Sequence, residues 1–142
     1  MLDDIVRSAA QLLDAPVQTD AGSWFVDVWV FLDPHDASGG ARRQIVQLFE
    51  GEAGDRLYLA STVGPYEPAL DLASLLRQMV GALRCSIYLA GPDAHGVEHL
   101  KVGSAVETRG LDPEHLAARL REVAVFADRF EAELFGRETD VR

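Results

Sequence analysis

The chain has 142 residues, 48% hydrophobic and 25% charged, which is enough for one ordinary domain with a real core. Thirteen Lys and Arg against 23 Asp and Glu leave a net charge of −10, so the surface as a whole repels nucleic-acid phosphate. One cysteine, Cys85, excludes an internal disulfide and a cysteine-rich zinc site. The acidic start MLDDIVRSAAQ and the lack of any run near the ~20 apolar residues of a membrane helix complete the expectation of a cytoplasmic protein.

Residues 2–14 read as an amphipathic helix, with Leu2, Ile5, Val6, Ala9, Leu12 and Leu13 at helical spacing and Pro16 closing it. The next segment, WFVDVWVFL (24–32), has one polar residue in nine. A half-buried strand alternates apolar with polar, because successive side chains point to opposite faces. Here Phe25, Trp29 and Phe31 share one face, and Trp24, Val26, Val28, Val30 and Leu32 the other, so both faces ask for cover. The loop DPHDASGGA follows. Strands are predicted over 42–50 and 55–63, joined as a hairpin by Gly51-Glu52-Ala53-Gly54. In the second of them Leu57, Leu59 and Val63 oppose Tyr58, Ala60 and Thr62.

A helix is predicted over 69–83, carrying Leu72, Leu75, Leu76, Met79 and Leu83, with Gly81 weakening its last turn. CSIYLA (85–90) and VEHLKVGSAVE (97–107) form a second hairpin across GPDAHG. Asp112-Pro113-Glu114 opens the final helix with a cap, a proline at the first position and an acid in the first turn. It runs to about Phe135 and stops at Gly136, with the stripe Leu116, Leu120, Val123, Ala127, Phe130 and Leu134. That stripe is widened by Val125, Phe126 and Phe135, which favours packing on a sheet over a coiled coil. The tail 137–142 is expected to fray. No repeat or linker divides the chain, so 1–142 is predicted as a single α+β domain. Its order is α-β-β-β-α-β-β-α, with a five-stranded, mainly antiparallel sheet.

No catalytic constellation emerges. His95-Gly96-Val97-Glu98-His99 matches the H-x-x-E-H string of one class of zinc peptidases, which needs both histidines one helical turn apart. On a turn and strand start, positions i and i+4 lie about 13 Å apart, too far to share a metal at ~2.1 Å. Asp33, His35 and Asp36 read as turn polarity, and the serine beside Gly39-Gly40 lacks a strand–elbow–helix context. Lys101 reads as a solvated rung and Cys85 as a packing thiol. Asp27 either reaches a sheet edge and water or pairs with an arginine, the edge being the expected case. No metal or cofactor is expected.

The stretch RLYLASTVGPYEPALDLASLLRQMVGALRCSIYLAG, and the close GLDPEHLAARLREVAVFADRFEAEL after a second hairpin, resemble the YbjN-like bacterial family. That family shares its fold with the type III secretion chaperones. The resemblance covers about residues 2–135 and rests on apolar spacing. One departure is Met79-Val80-Gly81, where members often carry an asparagine. The resemblance implies an acidic, homodimeric, non-catalytic module, chaperone-like or regulatory, that binds another protein. The surplus apolar residues Leu72, Leu75, Leu76, Met79 and Leu83, with Ile87, are expected at a two-fold interface. Phe25, Trp29, Phe31, Ile45 and Phe49 are expected to form a strip that meets the partner. The opposite register would use Val26, Val28, Val46 and Leu48 instead. Two rival readings stand beside it. One is a small-ligand-binding or enzymatic domain with a pocket between the final helix and the sheet. The other is single-stranded nucleic-acid binding through Trp24, Trp29 and Phe31, which lacks a positive groove.

Overall fold

The computed structural model describes residues 1–31, 41–82 and 84–136. Helix α1 (Leu2–Leu12) is followed by strands β1 (Val17–Asp20), β2 (Ser23–Phe31), β3 (Ala41–Glu50) and β4 (Arg56–Pro65). Helix α2 (Leu72–Gln78) ends in a 3₁₀ turn, Met79–Gly81. The chain finishes with β5 (Ser86–Ala90), β6 (His99–Glu107) and the long helix α3 (Pro113–Phe135). All strands form one antiparallel sheet in the order β1-β2-β3-β4-β6-β5. The architecture is therefore α+β with six strands, not five.

The extra strand is β1. Val17 is its only apolar residue, so it carries no alternating pattern, and it forms because of its turn. Ala21 and Gly22 have φ of 50° and 82°, the left-handed pair that a two-residue hairpin loop requires and that glycine accepts without strain. Helix α3 obeys its sequence signals closely. The Asp112 carboxylate accepts from His115 N at 2.7 Å, Pro113 opens the first turn, and Gly136 stops the helix. Helix α2 is shorter than predicted. Asp71 caps it through Ser74 N, and the chain tightens into the 3₁₀ turn before Ala82.

Helices α1 and α3 pack on one face of the sheet only. Beneath them lies the core: Val26, Val28, Val46, Leu48, Leu57, Leu59, Leu100 and Val102 meet Val6, Leu116, Leu120, Val123 and Phe130. Fully burying each such side chain stabilises by about 1.5–3 kcal/mol. Polar contacts tie the sheet to the two helices. Arg42 Nη2 donates to Asp128 Oδ1 at 2.6 Å, tying β3 to α3, and Trp24 Nε1 donates to Asp3 Oδ1 at 2.9 Å, tying β2 to α1.

Candidate functional site

The face turned away from the helices is where the sequence-predicted partner strip falls. Cross-strand pairing puts Phe25 opposite Gln47, Asp27 opposite Ile45, Trp29 opposite Arg43 and Phe31 opposite Ala41. The intervening Val26, Val28 and Val30 point into the core. Phe25, Trp29, Phe31, Ile45 and Phe49 thus share the uncovered face, and the alternative set Val26, Val28, Val46 and Leu48 is buried. Phe31 is 79% exposed, Ile45 50% and Phe49 37%. Tyr58, Ala60, Thr62, Tyr88, Lys101, Gly103 and Ala105 continue the same face across β4, β6 and β5. Sequence reasoning had placed Tyr58, Ala60 and Thr62 together but had not joined Tyr88, Lys101 and Gly103 to them. The joining signal is the β4–β6 register, which apolar periodicity does not encode.

Local contacts hold these rings in place. Arg43 Nη1 donates to Asp27 Oδ2 at 3.1 Å, and the same guanidinium lies 4.2 Å from the centre of the Trp29 ring. Asp27 is therefore the arginine-paired case, not the edge case, because β1 covers β2 on that side and Asp27 N donates to Pro16 O. Phe49 and Tyr58, directly opposite across β3 and β4, stack with centroids 5.5 Å apart. Gly103 allows the Tyr88 ring to lie on the sheet, since a Cβ there would come within 2.7 Å of it.

Depressions interrupt the face, a small one of about 100 Å³ lying beside Phe25, Asp27 and Ile45. Backbone pairing of β3 with β4 covers 47–50 against 57–60. Nearer Ile45 side chains take over: Ser61 Oγ donates to Ile45 O at 2.7 Å, and Gln44 Nε2 donates to Ser61 Oγ and Thr62 O. The strands part there, leaving a hollow of about 300 Å³ between Phe25 and Ile45 on one side and Thr62 and Lys101 on the other. A second groove of about 540 Å³ has Phe49, Tyr58 and Tyr88 as walls and Gly103 and Ala105 as floor. Between the final helix and the sheet, Leu116, Leu120, Val123 and Phe130 are fully buried, and the space that remains is a cavity of about 350 Å³ at the start of the helix, lined by His115, Arg119 and Glu107.

The residues expected at a two-fold interface divide. Leu75 is 0% exposed and belongs to the chain's own core, so it is corrected from interface to core; Leu72, Met79 and Ile87 pack at the core's margin. Leu76 stands out at 63% exposure, with Val80 four residues on at 79%. Leu83 lies outside the described residues, as do Asp33, His35, Asp36 and the tail 137–142. The H-x-x-E-H string sits on a turn and the start of β6, where Asp93 Oδ1 accepts from Val97 N and His95 N. Those backbone donors hold the Asp93 carboxyl below its usual range. The Cys85 thiol donates to Glu122 Oε1, and burial together with that carboxylate pushes its pKa up to about 12. No helix among the described residues is long and apolar enough to cross a membrane.

An antiparallel sheet with helices on one face, ending in a long helix across that face, is the architecture of two solved structures. One is YbjN, a candidate transcription regulator from E. coli: TM-score 0.60, 13% identity, covering 94% of this chain and 91% of that one. The other is a chain of the HopA1–SchA chaperone–effector complex: TM-score 0.54, 14% identity, covering 92% of each. The fold is shared with both. Neither a protein-family model nor a curated protein matches the sequence.

Proposed function

We infer that this chain is a non-catalytic protein-interaction module, chaperone-like or regulatory, that holds a partner polypeptide on the uncovered face of its sheet. One observation carries this reading: a continuous face bearing Phe31, Ile45, Phe49 and Tyr88 in contact with water, while the chain's own helices all serve the opposite face. Soluble chains rarely leave such a patch bare unless something binds it. The shared fold with a chain of a chaperone–effector complex supports the same reading. A homodimer in the cytoplasm, joined beside α2, completes the proposal.

Affinity capture from the native host tests it, with wild-type chain and the Ile45→Glu variant as parallel baits. A protein retained by wild type and lost from Ile45→Glu is the expected result. Identical retention by both baits would contradict the proposal. Leu12→Glu, on the helical side, serves as the control that keeps binding.

A further inference from the structure

The chain carries a net charge of −10, yet the hollow between β3 and β4 is lined by two cations and no carboxylate among the described residues. Its walls are the apolar side chains Phe25 and Ile45, and its rim holds Arg43 and Lys101. Arg43 is engaged by Asp27 and Trp29, but Lys101 forms no ion pair among the described residues. Lys101 is also the chain's single lysine. Its position is fixed: it lies opposite Thr62 on one side and Tyr88 on the other, on β6, the strand next to the sheet's β5 edge. Other acids lie on or beside this face: Asp93 has its Oδ2 3.9 Å from Nδ1 of His99, two residues before Lys101. Asp20 lies at the end of the edge strand, and Glu107 is opposite Arg56 at the end of β4.

Resting on the reading above, we propose that the partner segment received here is acidic: a large apolar side chain fills the hollow that has Phe25 and Ile45 on one side and Thr62 and Lys101 on the other, and a neighbouring Asp or Glu carboxylate meets Lys101. The overall negative charge acts on this site only from outside it: no carboxylate lines the hollow among the described residues, and the unpaired ammonium next to it sets the local preference. Single-stranded nucleic acid fits less well. Each nucleotide brings a phosphate and needs a track of cations, and the hollow offers one lysine besides an arginine already engaged by Asp27.

Short fluorescein-labelled peptides test the inference, with phenylalanine at every third position and Glu-Ser, Gln-Ser or Lys-Ser between. They are titrated with the full chain at low and high salt, beside an oligothymidylate of similar length. The Glu peptide should bind most tightly, and more weakly as salt rises. Lys101→Glu should weaken it about fivefold, the range an exposed ion pair allows, and shift preference toward the Lys peptide. The variant's circular dichroism and melting temperature should match wild type. Equal binding of the three peptides, or preference for the Lys peptide, overturns the acidic specificity and leaves the polypeptide reading standing. Tightest binding of the oligothymidylate overturns both. Binding of none of the probes overturns the inference, and the reading beneath it falls only if the capture comparison is also blank.

Discussion

Cys85 sits half-buried at the entry to β5, and its thiol is pushed up to about 12 by burial and by the Glu122 carboxylate. The thiolate is the reactive form, so at pH 8 Cys85 carries it far less often than an ordinary cysteine does. An aromatic disulfide reagent at pH 8 should therefore react at least about tenfold more slowly than with a free cysteine, and Glu122→Gln should speed the reaction. A rate equal to that of a free thiol would refute the contact. Neighbours on one strand make a sharper contrast. Leu48 is buried under α3 while Phe49, the next residue, faces outward over Tyr58. In urea unfolding, Leu48→Ala should cost about 2–5 kcal/mol. Phe49→Ala should cost about 1 kcal/mol, most of it the lost ring pair. Equal costs would mean that the faces are assigned wrongly.

At the scale of elements, the β1–β2 turn is the place where a substitution should help. Ala21 holds φ of 50° with Gly22 after it, and asparagine accepts that conformation more readily than alanine. Ala21→Asn should raise stability by about 0.5–1 kcal/mol in urea unfolding; a loss would show that the turn is of another type. This turn also marks what was illegible in the sequence. β1 has one apolar residue in four, so hydrophobic periodicity passes over it; Asp27 is expected at an edge because buried acids are rare unless paired, and β1 covers that edge. By contrast α3 was legible to the residue, because Asp112, Pro113 and Gly136 act locally on the backbone. In α2, the leucine count suggested a longer helix than the cap at Asp71 and the 3₁₀ turn at Met79 allow. The two faces of WFVDVWVFL could be read from period 2, but not which was core. The neighbouring strand did not decide it, because Arg43, Ile45 and Gln47 alternate with Arg42, Gln44, Val46 and Leu48 and both sets mix polar with apolar residues. The hollow beside Lys101 was illegible, since it arises from side chains replacing backbone pairing between two strands.

At the scale of the whole molecule, the bare apolar surface among the described residues includes the open face and the outer side of α2. Leu76 and Val80, one helical turn apart, are the exposed part of the latter. Light scattering at micromolar concentration should give about twice 15.5 kDa. Leu76→Glu should return the mass to that of the monomer without abolishing partner capture. A wild-type monomer at every concentration would remove the two-fold contact from the account. The central claim, that a partner lies on the open face, is tested most directly by Trp29 itself. In a Trp24→Phe background, Trp29 is the sole indole, sitting on that face beside Arg43. Titration with the captured partner should shift its emission to the blue and cut its quenching by acrylamide. A complex that forms while Trp29 emission and quenching stay unchanged would place the partner elsewhere and contradict the account.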